Sequence, residues 1–441
     1  MTLGLFKKGE WFFALDRRVT TWGMGWLCGH LPRAARPVYE PVADSLLYVP
    51  ASSLPYHISG YATRTQALLC ALRDAGAAVH VLTRPGYPWD RKDRVDQPQG
   101  QETIVAGIAY AHARQPANNR HLLQFAVQAS RVIARVARAR RVGIIHAASN
   151  HANALPALLA ARSLGIPFHY EMRGLWELTR ASRMPWFANT ARYKLGLELE
   201  GLVARHADRL FVISRELGRY ARSHWAVRPE RMALLPNCID PAAVRPGHAF
   251  SGGQADTIGY AGSIMPYEGL DTLIEAVALL ARRGVRIRLK IVGEGEARKE
   301  LEEQVRRLGQ GGSVEFSGRV EPAKALEILR GCALVCIPRK PFKVCEIVPP
   351  IKLVEALALA KPVIVPDLPV FRDELGSDPA GWFFTAGDAA SLAGVIEAAL
   401  RQPARLVELG GKARDYALLH RNWRPFVENV VRPRNQSECI W

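Results

Sequence analysis

The sequence predicts an α/β protein made of two doubly wound domains. Three observations predict this class. From residue 45 onward, apolar runs of strand length alternate with longer segments of helical period. The alternation pauses at the polar stretch 245–257, which holds Pro246, Gly247, Gly252 and Gly253 and reads as a linker, and then resumes more cleanly. The length, 441 residues, suits two to four domains at ~100–200 residues each.

In the first half, residues 46–49 read as a strand and 51–60 as a loop. Residues 63–75 read as a helix with Leu68, Leu69 and Leu72 on one side, and Gly76 is placed just past its end. Residues 79–82 form the next strand, which Arg84-Pro85-Gly86 closes. Such a strand-loop-helix-strand unit implies a parallel sheet. Residues 143–146 are a strand, 154–164 a helix closed by Gly165, and 167–171 a strand; 209–213 is another, after a long helical region. In the second half, strands at 257–261, 286–292, 314–316, 334–337 and 363–365 alternate with helices at 270–283, 296–308, 322–329 and 351–360. A ligand is expected between the domains, outside the carboxyl ends of the strands.

Four segments are therefore expected. Residues 1–40 are an arm, 41–248 the first domain, 249–419 the second, and 420–441 a terminal segment. That last segment comes too late for the second sheet and is expected to pack elsewhere, a return to the first domain being one route. The arm interleaves Trp11, Phe12, Phe13, Trp22 and Trp26 with Lys7, Lys8, Arg17 and Arg18. Two readings of it stay open: an amphipathic arm on an anionic membrane surface, or an extra helix or loop packed on the first domain.

Hydrophobic residues at 49% and charged residues at 23% are ordinary for a globular protein and exclude long disorder and fibrous classes. The net charge of +18 favours a phosphorylated ligand, a nucleic acid or an anionic membrane. Seven cysteines without a C-x-x-C argue against a disulfide framework or zinc site and suit a reducing compartment. No apolar run reaches the ~18 residues of a membrane span. Glu10, Asp16, Arg17 and Arg18 interrupt what would be the core of a secretory signal, so a cytoplasmic location is expected.

Three loops offer chemistry. Ser59-Gly60-Tyr61 lies between the first strand and its helix, where Gly60 permits close backbone approach and the helix start offers N–H groups to an anion. A purely structural role for it is the alternative. Tyr260-Ala261-Gly262-Ser263 repeats the arrangement in the second domain. Neither a full G-x-G-x-x-G nor a Walker A loop is present, and Gly293-Glu294-Gly295-Glu296 puts carboxylates where a pyrophosphate would sit, which argues against a dinucleotide cofactor. The third loop, residues 338–355, is the densest. Arg339, Lys340, Lys343 and Lys352 surround a helix start, which suits a diphosphate, and Glu355 could accept hydrogen bonds from ribose hydroxyls. The alternative is a solvated basic loop with Glu355 in a salt bridge.

Across residues 45–430 the chain resembles glycosyltransferase family 4, of the GT-B type. The resemblance is carried by SGYATRTQALLCALRDAG, HYEMRGLWE, FVIS and LPNCID in the first half. In the second it is carried by YAGSIMPYEGLDTLIEA, IVGEGEARKEL, VEFSGRV and PPIKLVEALALAKPVIVPDLP. It implies two Rossmann-like domains facing each other across a cleft. It implies that Glu355 binds the ribose of a nucleotide-sugar, that Lys352 and the amides around Ile351 hold the diphosphate, and that Gly262, Ser263 and Gly60 line the same cleft. Arg173 would be a cleft-edge cation; a buried ion pair with Glu171 or Glu177 is its alternative.

This chain departs from the family at several places. Ser263 and Glu268 stand where many relatives have Arg and Lys. Arg339, Lys340, Lys343 and Lys352 are then the candidates to meet the diphosphate charge. Ile347 stands where the first Glu of an E-x7-E pair would fall, with Glu346 beside it as a candidate contact to the transferred sugar. In Ile145-His146-Ala147-Ala148 the first family histidine is kept and the second is Ala, so His146 or His151 is the candidate at the sugar, interior packing being the alternative.

The resemblance implies retaining transfer from a UDP- or GDP-linked sugar to a glycan or lipid-linked acceptor, with no cofactor. No D-x-D cluster is evident, and metal-independent transfer is expected. Surface polysaccharide or glycolipid synthesis at the inner face of a membrane fits the resemblance together with the arm. A GT-B-type sugar-nucleotide epimerase and a nucleic-acid-binding protein are the competing readings.

Overall fold

The computed structural model describes residues 8–31, 37–97, 100–240, 244 and 256–432, with side chains from residue 11. Residues 1–7 of the arm, nearly all of the expected linker and residues 433–441 lie outside the described residues. The chain divides into two units, Met1–Pro236 with Trp423–Trp441, and Asn237–Asn422. The crossings fall at 236/237 and 422/423, where the sequence reading put 248/249 and 419/420. Local pairing explains the positions. Leu235 N still donates to Val212 O in the first sheet (2.9 Å), whereas Asn237 Nδ2 donates to Pro349 O (3.1 Å) and Ile239 N to Arg421 O (2.8 Å).

The first unit holds eight strands: β1 (Ser45–Val49), β2 (Ala78–Leu82), β3 (Glu102–Val105), β4 (Ile108–Ala111), β5 (Ile144–Ala148), β6 (Phe168–Met172), β7 (Arg209–Val212) and β8 (Met232–Leu234). Their order is β3-β4-β2-β1-β5-β6-β7-β8, parallel except for the β3–β4 hairpin. Strands β1, β5 and β6 are buried along their whole length, as expected for a sheet covered on both faces. Yet β5 and β6 carry His146, His169 and Glu171. Those polar groups must find partners inside the protein.

Helix Lys8–His30 packs on helices Ala191–His206 and Leu122–Ala139 through a face that buries Thr20, Met24 and Cys28. Of the two readings of the arm, packing on the first domain therefore holds for this segment. Its other face is exposed at Trp11, Leu15, Val19, Trp22 and Trp26. The last described helix, Arg424–Val431, packs on helix Gly60–Asp74 within the first unit.

The second unit holds β9 (Thr257–Ala261), β10 (Arg288–Val292), β11 (Val314–Gly318), β12 (Leu334–Cys336), β13 (Val363–Pro366) and β14 (Gly381–Phe384), all parallel, in the order β11-β10-β9-β12-β13-β14. Its core gathers Ile258, Tyr260, Leu273, Leu289, Ile291, Leu392 and Ile396. The strand order reverses beside β1 in the first unit and beside β9 in the second. Loops leaving the carboxyl ends at such switch points are where open sheets bind ligands.

Candidate functional site

In the second unit the loop after β9 begins at Gly262, whose φ of +148° suits glycine. A Cβ there would lie 2.8 Å from Lys352 Cε and Nζ, so the missing side chain lets Lys352 reach the loop. Lys352 opens helix Ile351–Ala358. Its Nζ donates to Glu268 Oε2 (2.8 Å) and to the Tyr260 hydroxyl (2.5 Å) and lies 4.2 Å from the Tyr260 ring centre. Arg339 grips the same carboxylate, Nη2 to Oε1 at 2.9 Å and Nε to Oε2 at 3.3 Å, and its Nη1 donates to Val348 O (2.8 Å). All three charged groups are buried. Burial alone would push the Glu268 carboxyl up, but Arg339 and Lys352 hold it down at about 2. Burial also lowers the Lys352 ammonium, against the pull of Glu268.

Glu268 is therefore the centre of a buried ion triad. The sequence marks it only as a departure from its relatives. Its partners lie far along the chain, so no local spacing announces them.

The remaining cations of the basic loop are paired too. Lys340 Nζ donates to Asp271 (2.6 Å) and Lys343 Nζ to Glu346 (2.9 Å). These pairs are solvent-accessible, and such pairs are individually weak, about 0–1 kcal/mol. Glu346 and Lys343 share the short helix Lys343–Ile347, separate from the triad. Pro350 precedes Ile351 and offers no side-chain cap, so the first N–H groups of this helix remain available to an anion. One turn on, the Glu355 carboxylate makes no hydrogen bond to the described residues, and burial raises it above the usual range. Ser263 is exposed, and its carbonyl accepts from the Tyr260 hydroxyl (2.8 Å).

In the first unit Glu171 is buried next to the end of β6. Arg64 Nη2 and Arg173 Nε each donate to its Oε1 (2.9 Å), and the Tyr48 hydroxyl donates to Oε2 (2.6 Å). Burial opposes the charge, but Arg173 and Arg64 hold the carboxyl well below its ordinary value. Arg173 thus sits in a buried ion pair with Glu171, and it also reaches Thr65 Oγ1 (2.8 Å) and Tyr61 O (3.1 Å). His146 is wholly buried, 3.4 Å from Glu171 Oε2 and stacked on Tyr48. Gly60 is exposed at the start of helix Gly60–Asp74, which Ser59 caps.

His151 has a different setting. It begins helix His151–Leu164 and lines a cavity of about 600 Å³ in the first unit. Arg17 Nη1 lies 3.1 Å from His151 Nε2. A guanidinium only donates, so Nε2 is the acceptor and Nδ1–H points to Glu200 Oε1 (3.1 Å). The other Glu200 oxygen accepts from the Tyr170 hydroxyl (2.6 Å). Glu177 completes the group; its Oε2 is buried with no hydrogen-bond partner among the described residues, and burial raises its carboxyl. A Cβ at Gly196 would collide with this carboxyl.

His151, Glu177 and Glu200 place one ligand atom each within 4.8 Å of one another, a spacing that suits a metal ion. Arg17 already supplies positive charge there, which disfavours a cation. The sequence reading singled out His151 but not Arg17, Glu177 or Glu200 as its surroundings.

Two Rossmann-like domains of this order, each with its glycine loop at the switch point, define the GT-B class of glycosyltransferase. Residues 59–238 match the family described as "Glycosyl transferase 4-like domain" and residues 249–416 the family "Glycosyl transferases group 1". Together they cover most of the chain, which belongs to the family 4-type glycosyltransferases. A phosphatidyl-myo-inositol mannosyltransferase of Mycobacterium leprae (strain TN) is 34% identical over 154 residues, 34% of this chain and 38% of that protein. An MMP alpha-(1->4)-mannosyltransferase of Mycolicibacterium hassiacum is 23% identical over 282 residues, 62% of this chain and 66% of that one. The chain spans less than half the length of the first curated relatives it matches. Among solved structures, sucrose-phosphate synthase from Thermosynechococcus elongatus shares the fold with a TM-score of 0.71 at 17% identity, over 88% of this chain and 97% of that chain. Anabaena HepE in complex with UDP gives 0.66 at 16% identity, over 88% and 98%.

Proposed function

We propose that this chain transfers a sugar from a UDP- or GDP-linked donor to a glycan or lipid-linked acceptor, with retention of anomeric configuration and without a metal. One observation carries the reading: the uncapped start of helix Ile351–Ala358 sits beside Lys352 and one turn before Glu355, whose carboxylate has no hydrogen-bond partner among the described residues. That arrangement suits a diphosphate followed by a ribose. As the glycosidic bond breaks, charge grows on the diphosphate. Preorganised N–H groups and cations stabilise that charge.

The four basic side chains divide by role. Lys340 and Lys343 can leave their surface partners at little cost and swing to the diphosphate. Lys352 and Arg339 stay with Glu268. Lys352 has three N–H bonds and uses two of them among the described residues, which leaves one for the phosphate oxygens.

Two relatives are named as mannosyltransferases, one of them acting on phosphatidyl-myo-inositol. Another neighbour is titled as a complex with UDP. These names support the donor and acceptor classes proposed here. The exposed stripe Trp11, Leu15, Val19, Trp22 and Trp26 supports seating on a membrane surface, where tryptophan is favoured. No described helix is long and apolar enough to cross a membrane. An epimerase would need only donor contacts, and the cavity beside His151 would then have no use.

The test is a thermal-shift screen of UDP- and GDP-sugars against the wild type and Glu355→Ala. A nucleotide-sugar that stabilises the wild type and not the variant is the expected result. Equal shifts in both would move the donor site elsewhere. EDTA should leave turnover unchanged; activity lost with EDTA and restored by Mn²⁺ would refute the metal-independent step.

A further inference from the structure

Helix Lys8–His30, which precedes the residues matched by the family, is held on the first unit in two different ways. From Thr20 onward burial holds it: Thr20, Met24 and Cys28 are inside, and Gly23 lies against Leu123. Before Thr20 the hold is polar. Trp11, Phe12, Phe13 and Leu15 are all exposed. Asp16 pairs with His121 (3.3 Å) and accepts from Leu122 N (3.4 Å), but His121 stands in solvent, where such pairs are weak. Arg192 lies over the Phe13 ring, 4.7 Å from its centre. The buried contact is that of Arg17 Nη1 with His151 Nε2, at 3.1 Å.

That contact ends on a single lone pair. Glu200 Oε1 accepts from the backbone N–H of His151 (2.8 Å) and from its Nδ1–H (3.1 Å). Nε2 is therefore the one acceptor on the ring, and the neutral imidazole is the form that Arg17 binds. A proton added to the ring takes the same lone pair, so a guanidinium and a proton exclude each other there. Either one brings a single positive charge to a pocket with two buried carboxylates, Glu200 and Glu177, the latter 4.0 Å from Nδ1. Exchanging one for the other leaves the charge of the cluster unchanged, which offsets the cost of charging a buried histidine.

The surrounding charges act in the same direction. Facing the pair are Glu177 and Arg180 from helix Trp176–Arg183, and Glu200, Arg192 and Tyr193 from helix Ala191–His206. Tyr170 of β6, Asp16 of the N-terminal helix and Tyr220 of helix Arg215–Trp225 complete the set. Arg84, Arg91 and Arg120 line the same cavity. Arg17 thus leaves a wall crowded with arginines, whereas the proton stays between carboxylates. Glu177 loses the attraction of Arg17 at the same moment and protonates more readily, with the same sign.

We infer that Arg17 is an acid-released pin: a proton replaces its guanidinium on His151 Nε2, and the helix before Thr20 then comes off the first unit while the helix from Thr20 onward stays. The docked form holds no proton on Nε2 and the released form holds one. Docking is therefore favoured as pH rises and lost as pH falls. The segment set free carries Trp11, Phe12 and Leu15. Nothing in this depends on the donor or acceptor assigned above.

Hydrogen exchange on the full chain tests it at about pH 8 and about pH 5.5, across the interval in which histidines change charge. Rates are expressed as protection factors, so that the intrinsic pH dependence of exchange drops out. In acid, residues 12–18 of the wild type should lose about ten- to a hundredfold in protection, as expected for one charge-assisted hydrogen bond. Residues 20–28 should change much less. His151→Gln keeps an acceptor oxygen for Arg17 and takes no proton, so residues 12–18 should stay protected at both pH values. Arg17→Met should leave them weakly protected at both, and it still reads out the pin if the melting temperature shows that His151→Gln has not folded. Equal acid loss in both halves of the helix overturns the inference, as does wild-type protection at high pH in Arg17→Met. Acid loss that persists in His151→Gln and disappears in Glu177→Gln overturns it too, by moving the sensing to the carboxylate.

Discussion

In the first unit Glu171 lies between Arg64 and Arg173; in the second Glu268 lies between Arg339 and Lys352. Each carboxylate is buried, and each has a buried tyrosine nearby, Tyr48 or Tyr260. The difference is in the cations. Arg64 and Arg173 spend their donors on Glu171, on Thr65 and on the carbonyls of Tyr61, Leu235 and Pro236. That network is closed and holds backbone in place. In the second unit one cation is a lysine with a donor to spare, at the mouth of a helix N-terminus. The comparison teaches that two buried ion clusters of similar make-up can differ in whether every donor is spent: Arg173 uses all of its own, and Lys352 keeps one.

Removing either glutamate should have the largest effect. Glu171→Ala or Glu268→Ala strands two buried cations, which should cost about 3–5 kcal/mol each, read by urea unfolding. A loss below about 1 kcal/mol in either would mean that its cluster is solvated and the comparison is void.

Acid comes next. The folded Glu268 value of about 2 lies below its ordinary 4.5. A depressed carboxyl contributes stability that is present above the unfolded value and lost as pH falls through the folded one. On the order of 3 kcal/mol should therefore disappear between pH about 4.5 and 2. Glu268→Gln should flatten that part of the stability–pH curve while leaving the share due to Glu171.

Lys352→Gln sharpens the contrast. It should weaken nucleotide-sugar binding by about 1.5–3 kcal/mol, measured by calorimetry. Arg173→Gln should lower stability with no matching loss of donor affinity per folded molecule. The mildest change spares both clusters: Trp22→Ala should alter stability by no more than about 0.5 kcal/mol yet reduce flotation with anionic vesicles. Unaltered flotation would detach the tryptophan stripe from any membrane role.

The strands were readable because parallel sheets demand short, largely apolar runs, and β1, β9 and β13 are such runs. The hairpin β3–β4 was not, because its turn is Ala106-Gly107, with both residues at positive φ, and lacks the Asn-Gly or Asp-Gly signal. Helix Leu122–Ala139 escaped as well, its buried Phe125, Ala129 and Ile133 being diluted by arginines. At the site, sequence proximity misled. The basic run 338–355 looks like a cluster waiting for phosphate, but each cation already holds a carboxylate, and two of these, Glu268 and Asp271, come from the segment after β9. The arginines of the first-unit cavity are scattered from position 17 to 192 and converge only in the fold. His146 and His151 could not be ranked from spacing, since one faces the sheet interior and the other the cavity.

Arg64 has one more consequence. It holds the carbonyls of Leu235 and Pro236, where the chain leaves the first unit, and lies under the ring of Trp423, where the chain comes back, 5.1 Å from its centre. Just beyond, Ile239 and Asn422 pair as neighbours in a parallel bridge. Topologically the second unit is a guest spliced into a host, its entry and exit side by side. A sequence joining Pro236 to Trp423 through a short glycine tether should then fold as a self-standing host, and the same pair of sites is where the second unit of a cousin could be grafted in.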